Sequence, residues 1–287
     1  MTGSEPAGPL VTRRAGGLDG TVAVVTLARP GRLNALTAPL LTALRSELNG
    51  IGDDTACRAV VLTGEGTSFC SGMDLDTGIT DDTYGDPVQA GLAGLQAGVA
   101  AIIALREIRQ PVIAAVRGNA VGAGFSLAAA CDLRIVAPDV RFSAPFVRLG
   151  VSAGDLGLSW FLPRIVGWGR AAEVFYRAAS INAQMAVATG LASEVADDPL
   201  ARAVELACQI AGHPGYGVAA TKELLNATWS SSLRDHLASE GRAQVLGLLT
   251  GDHRAALDAQ RSAMSQRSAM SQRSAMSQRS ARAERPG

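Results

Sequence analysis

The sequence predicts an α/β fold, and three observations carry that reading. Short β-branched runs closed by Pro or Gly recur at residues 21–30, 57–66, 111–118 and 133–137. Stretches of helical spacing lie between or beside them, at 37–51, 92–110 and 123–132. From about residue 168 the pattern turns wholly helical. Strands alternating with helices, then a run of helices, describe an α/β core followed by a C-terminal helical region.

In chain order, residues 1–17 read as a flexible N-terminal arm. TVAVVTLARP (21–30) reads as a strand ended by Pro30. In TAPLLTALRSELNGI (37–51), Leu40, Leu41, Leu44 and Leu48 share one helix face, with Thr37 as N-cap and Pro39 in the first turn. CRAVVLTGEG is a second strand running into a glycine loop, and 77–91 an acidic, turn-rich surface loop. LAGLQAGVAAIIALREIRQ (92–110) is a long helix stopped by Pro111. PVIAAVRG, AGFSLAAACD and LRIVA follow as strand, small-residue helix and strand. The boundaries are an α/β core over 18–200, a helical region over 201–260 and a disordered basic tail over 261–287.

That tail repeats SAMSQR at 262–267, 268–273 and 274–279. A six-residue period advances a helix by ~600°, so Met264, Met270 and Met276 face three directions and form no apolar stripe. Residues 260–287 carry six Arg against one Glu. Such a composition does not bury enough apolar surface to order itself.

Composition excludes several function classes. The chain has 287 residues, 47% hydrophobic and 18% charged, with a formal net charge of zero, so no polyanion partner is expected. Of the 26 basic residues, Lys222 is the one lysine. Cys57, Cys70, Cys131 and Cys208 form no CxxC pair and read as reduced thiols of a cytoplasmic protein, with no disulfide or metal framework. The N-terminus lacks an apolar h-region, and no uninterrupted apolar run approaches ~20 residues, so neither signal peptide nor membrane span is expected.

Two glycine loops, GEGTSFCSGMDL (64–75) and GNAVGAGFSLAAACD (118–132), each follow a strand and precede a helical pattern. Such turns aim unpaired backbone N–H groups at one spot, unless the glycines serve only close helix–sheet packing. A dinucleotide fingerprint is poor, because Leu127 stands where GxGxxG needs its third glycine, and no P-loop is present. PFVRLGVSAGDLGLSWFLPR (145–164) holds one carboxylate, Asp155, among glycines and apolar residues. It is either a turn or cap residue or a proton-transfer group in an apolar pocket.

Taken together, RPGRLNAL (29–36), the two loops, VRGNAVGAGFSLAAACDLRIV and RLGVSAGDLGLSWFLPRIVG resemble the enoyl-CoA hydratase/isomerase, or crotonase, superfamily, in order and spacing from about residue 20 to 260. ASINAQMAVATGLASEVA (179–196) is similar to that family's passage into its C-terminal helices. The resemblance implies a crotonase-like spiral of repeated ββα units, assembly as a homotrimer or dimer of trimers, and an acyl-CoA substrate of lipid metabolism. It implies no cofactor beyond the coenzyme A of the substrate, and no metal, nucleic acid or membrane.

It further implies that the backbone N–H groups of Met73 and Ala123 form an oxyanion hole for the thioester carbonyl. Arg32, Ala35, Cys70, Ser71, Gly72, Asp74, Leu75, Gly122, Ser126 and Phe146 would line the substrate site. The family's hydratases use two glutamates, and those positions fall on Ser126 and Phe146, neither a carboxylate. Some members, dienoyl-CoA isomerases and 4-chlorobenzoyl-CoA dehalogenases among them, carry an essential Asp seven residues before a Leu. Asp155 and Leu162 match that spacing, although the approach from Gly150 is one residue longer. His213, His236 and His253 all lie late in the chain, which disfavours the dehalogenase reaction.

The expected function is therefore enolate chemistry by a lyase or isomerase: double-bond isomerisation or proton transfer with Asp155 as base. The runner-up is hydration, with Asp155 and Ser126 placing a water. The alternative from another class is a non-catalytic CoA-binding or assembly subunit. Of the remaining residues, Arg29 is expected to be exposed rather than to meet CoA phosphates. Asp74 is expected to fix its loop through backbone N–H bonds, Trp160 and Tyr176 to be core, and His213 to belong to a loop.

Overall fold

The computed structural model describes residues 10–17, 20–76, 85–262 and 264–265. It divides into one unit ending at His213 and a second beginning at Pro214. In the first unit, β1 (Val11–Gly16) and β2 (Val22–Leu27) lead through a 3-10 turn (Pro30–Arg32) to α1 (Ala38–Asp53) and β3 (Ala59–Gly64). Then come α2 (Pro87–Glu107), β4 (Val112–Val116), β5 (Asn119–Val121), α3 (Ala123–Ala130), β6 (Leu133–Val136) and β7 (Arg141–Ser143). After a second 3-10 turn (Phe146–Leu149) follow α4 (Leu158–Val166), α5 (Trp168–Arg177), β8 (Ile181–Asn182), α6 (Ala183–Ala188), β9 (Glu194–Val195) and α7 (Pro199–Ala211).

A six-stranded sheet runs β1-β2-β3-β4-β6-β9, parallel except for β1 against β2. A three-stranded sheet runs β5-β7-β8, and a bridge from Cys70 to Ala120 extends it. The two sheets are fed alternately. The chain leaves β3 for the Cys70 bridge, β4 for β5 and β6 for β7, so each turn of the spiral adds one strand to each sheet. The all-apolar β3 and β4 are buried throughout, as interior parallel strands require. Val22, Val24, Val61, Ile113, Ala115 and Ile135 form one face of the large sheet, covered by Ala203 and Ala207 of α7. The second unit holds α8 (Gly215–Ala227) and α9 (Leu233–Leu248), tied by Tyr216 Oη donating to Ala243 O at 3.0 Å, with residues 251–262 helical beyond them.

The expected α/β class and C-terminal helices are present, and Thr37 caps α1 by accepting from Leu40 N. Several expectations are corrected. Residues 11–16 are not a loose arm but the edge strand β1. Its four interior residues are exposed, so no apolar alternation marked it. Residues 87–91 belong to α2, capped by Asp86, while 77–84 lie outside the described residues. The helical stretch after 168 is interrupted by the two-residue strands β8 and β9. The core runs to 213 rather than 200, because α7 carries the apolar stripe that closes the large sheet. Residues 261 and 262 are helical, and the repeat from 266 onward lies outside the described residues.

The 21-residue α2, with mean hydropathy 1.7 over its most apolar window, is by length and composition alone long and apolar enough to cross a membrane. Its buried stripe of Ala90, Gly94, Gly98, Ala101, Ile102 and Leu105 packs against α1 and α3, as in a core helix. Trp160 and Tyr176, expected in the core, are 41% and 77% exposed. The inward positions of their helices are taken by Leu158, Phe161 and Leu162 in α4, and by Ala171, Val174 and Phe175 in α5. Trp160 instead carries the Arg164 guanidinium 4.2 Å above its ring.

Gly124, in the first turn of α3, is the tightest point between the helix and the Cys70 strand. A Cβ there would lie 2.4 Å from Cys70 O and 2.8 Å from Cys70 Cβ. Gly124→Ala is expected to destabilise the fold by about 1–3 kcal/mol through overpacking, read by chemical denaturation. A variant as stable as the parent would show that this approach is loose.

Candidate functional site

The site is built where the two glycine loops meet. Leu36 N donates to Gly72 O at 2.8 Å and Asp74 N to Leu36 O at 2.9 Å, a parallel bridge centred on Met73. That pattern uses the groups on either side of Met73 and turns its own N–H away from Leu36. In the second loop Gly122, at φ +52°, is the N-cap of α3, and its N–H donates to Ser143 O at 2.9 Å. Ala123 N–H follows as the first donor of the helix, one of those that no intrahelical carbonyl satisfies. Among the described residues, neither Met73 N–H nor Ala123 N–H donates to a protein acceptor.

The loops are in contact. A Cβ on Gly72, itself at φ +95°, would stand 2.8 Å from Val121 O and 3.8 Å from Ala123 N. The Phe146 ring closes one side, its Cε1 and Cζ both 3.6 Å from where a Gly122 Cβ would be. Cys70 is fully buried, and desolvation pushes its thiol up to about 12, so it is a packing residue and not a nucleophile.

Asp155 stands in a turn held from two sides. Ser126 Oγ, one turn into α3 and fully buried, donates to Asp155 O at 2.8 Å and faces Gly122 O at 3.2 Å. Leu158 N donates to the same Asp155 carbonyl at 3.1 Å. The next two residues are left-handed, Leu156 at φ +47° and Gly157 at φ +83°. Leucine is costly there, and such strain persists only where packing enforces it. The enforcing contact is Gly98 of α2, whose missing Cβ leaves room for the Leu156 side chain.

The Asp155 carboxyl makes no hydrogen bond or ion pair among the described residues, and burial raises its pKa above the ordinary carboxylate value. It does not cap α4, whose N-cap is Gly157 without a side-chain bond. Ser126 places the Asp155 backbone beside the first turn of α3, the turn that begins with Ala123 N–H.

The arginines behave differently from expectation. Arg29 is buried, not exposed: its Nη1 donates to Ala35 O at 2.6 Å and to Asp74 Oδ2 at 3.1 Å. Asp74, 1% exposed at its side chain, also accepts from Arg32 at 3.2 Å and from Asp76 N at 3.1 Å. Arg32, half exposed, reaches Asp76 as well. The Asp74 carboxylate is thus held mainly by guanidinium groups rather than by backbone N–H groups alone. This network sits next in sequence to Met73 and holds that loop. Ser71 donates to Leu33 O and Arg32 O, Ala35 is buried, and Leu75 is 80% exposed. His213 caps the end of the first unit, its carbonyl accepting from Arg58 at 2.8 Å. The Arg29–Asp74 pair spans 45 residues, and no local pattern marks it.

Two glycine loops in contact at one edge of the parallel sheet, with a strained turn bonded to the helix that follows the second loop, define a spiral α/β protein. A family model described as enoyl-CoA hydratase/isomerase matches residues 17–258. The chain is 39% identical over 233 residues to a probable enoyl-CoA hydratase, echA12, of Mycobacterium leprae, covering 78% of each. It is 37% identical over 225 residues to the enoyl-CoA hydratase ACTT3 of Alternaria alternata, covering 75% of this chain and 72% of that one. It superposes on the crystal structure of an enoyl-CoA hydratase from Bacillus anthracis with a TM-score of 0.81 at 29% identity, covering 88% and 96% of the two chains. The chain belongs to the enoyl-CoA hydratase/isomerase family and has the crotonase fold.

Removing one partner of the buried Arg29–Asp74 pair leaves a charge without its counterion. Asp74→Ala is expected to destabilise the protein by about 3–5 kcal/mol in denaturant titration. A loss below ~1 kcal/mol would mean that the pair is solvated and does not hold the loop.

Proposed function

We propose that this chain is an acyl-CoA thioester enzyme that forms an enolate between the N–H groups of Met73 and Ala123 and moves a proton with Asp155. The observation that carries this reading is Asp155, its carboxyl desolvated and without a partner among the described residues, its backbone carbonyl bonded to Ser126 in the first turn of α3. In the proposed step the ionised carboxyl takes a proton from the α carbon of a β,γ-enoyl thioester. The C–H electron pair becomes the new carbon–carbon π bond, and charge moves onto the thioester oxygen. The two backbone N–H groups and the positive end of α3 stabilise that oxygen, a contribution of about 3–4 kcal/mol per well-placed donor. The carboxylic acid then returns the proton to the γ carbon, giving the α,β-enoyl thioester. One carboxyl suffices, and no oxidant or reductant is consumed.

Hydration is the second reading, and Ser126 weighs against it. Its hydroxyl is fully buried and its single proton is directed at backbone carbonyls, so it is poorly placed to hold a reacting water. Phe146 adds an apolar ring where the resemblance implies a second carboxylate in hydratases. A non-catalytic CoA-binding subunit would have no use for a desolvated carboxyl on a strained turn. The apolar residues that α9 leaves exposed, Leu233, Leu237, Val245 and Leu246, fit assembly as a homotrimer or dimer of trimers.

Asp155→Asn keeps the volume and removes the base. It is expected to lower solvent deuterium exchange into the α carbon of hexanoyl-CoA by about 10²–10⁴-fold, while the thioester still binds. Full exchange in the variant would make Asp155 a loop residue. As a base, Asp155 acts ionised, so exchange is expected to rise with pH through a limb above the ordinary carboxylate range. The raised pKa also means that the fold favours the protonated form. Its stabilising contribution is present at low pH and is lost as pH rises through the folded-state value. Asp155→Asn is therefore expected to be at least as thermally stable as the parent at neutral pH. A lower Tm there would overturn the desolvation account.

A further inference from the structure

The Asp155 carboxyl has no hydrogen-bond partner among the described residues, so what positions it must act through its backbone. Loop 150–157 has few anchors. Gly150 and Val151 N–H bond back to Val147 O and Phe146 O, and the left-handed turn at Leu156–Gly157 leads into α4. Between these ends, among the described residues, stands one side-chain hydrogen bond that reaches the loop from another element, Ser126 Oγ to Asp155 O at 2.8 Å, across 29 residues.

We propose that Ser126 is a positioning residue for Asp155: its hydroxyl clamps the Asp155 carbonyl to the first turn of α3 and so sets the carboxyl over the carbon next to the thioester. The proposal rests on the reading of Asp155 as the base. The geometry supplies the reason for a serine. Ser126 lies three residues after Ala123, one turn along the same face of α3, and it is fully buried. Its Cβ is rigidly tied to the helix that presents the Ala123 donor. A bond from that helix to the base's own backbone therefore makes donor and base parts of one body, and their separation no longer depends on the loop. A hydroxyl is short enough to make this bond from the helix surface at 2.8 Å while also facing Gly122 O at 3.2 Å. The Leu158 N–H on the same carbonyl does not substitute for it, because Leu158 moves with the loop. Ser126 touches no reacting atom in this account and acts through Asp155.

The test is a double-variant cycle with Ser126→Ala and Asp155→Asn in the full chain, reading deuterium exchange into hexanoyl-CoA with separate kcat and KM. Misplacing a base by about an ångström costs up to ~10²-fold in rate. Ser126→Ala is expected to lower kcat about tenfold or more, with KM changed less than twofold and the far-UV spectrum intact. On the Asp155→Asn background the same change is expected to have no further effect on the residual rate. Equal losses on both backgrounds would show that Ser126 supports the fold or the donors instead, and overturn the proposal. So would an unchanged kcat in Ser126→Ala while Asp155→Asn is inactive, which would leave Asp155 as the base. Full exchange by Asp155→Asn would overturn the base reading and this proposal with it. If Ser126→Ala does not fold, Ser126→Thr keeps the hydroxyl: retained kcat supports the clamp, and a folded, inactive Thr variant with unchanged KM overturns it.

Discussion

The site depends on how closely two stretches of backbone approach. The loop ending β3 and the loop ending β4 come together so tightly that Gly124 has no room for a Cβ against Cys70 O, and Gly72 almost none against Val121 O. A side chain at either place would push the strands apart and separate Met73 from Ala123. The approach is set upstream by the parallel pairing of β3 with β4, Val60 against Val112 through Thr63 against Ala115. Parallel strands in register end at the same level, so their following loops meet at one edge of the sheet. The Cys70–Ala120 bridge and the Leu36–Met73 bridge then carry each loop into further pairing, which removes its freedom.

Polar groups hold this frame at two points, and they do so in different ways. Asp74 is a buried charge whose desolvation is offset by Arg29, by Arg32 and by the Asp76 N–H. Asp155 is a desolvated carboxyl with no such compensation among the described residues, and its backbone carbonyl is bonded instead. A carboxylate paired with arginine is a poor base, because the pairing favours its ionised form. The two aspartates thus differ by environment alone: the paired one anchors a loop, and burial raises the pKa of the other.

Apolar packing completes the arrangement. Leu156 occupies the space that Gly98 leaves on α2, and this contact holds a leucine at φ +47° directly after the carboxylate. Phe146 lies over the N-terminus of α3 from the 3-10 turn after β7. The second layer of the fold, α2 with α1, therefore does more than cover the sheet, since it braces the turn that carries Asp155.

Much of this was legible in the sequence. β-branched runs closed by Pro or Gly located β2, β3, β4 and β6, and spacing located α1, down to the Thr37 cap, because these signals are local and repeat within one element. The two glycine loops and the isolated Asp155 stood out for the same reason. The strands β5, β7, β8 and β9 did not, since two or three residues are too few to show a period. Edge strand β1 escaped because solvent covers most of its residues. Tertiary structure alone decided that Arg29 is buried on Asp74, 45 residues away, and that Ser126 meets Asp155 across 29. It also turned Trp160 and Tyr176 outward. Hydrogen bonds and burial between distant segments depend on which faces the spiral brings together, and no local pattern of residue types encodes that choice.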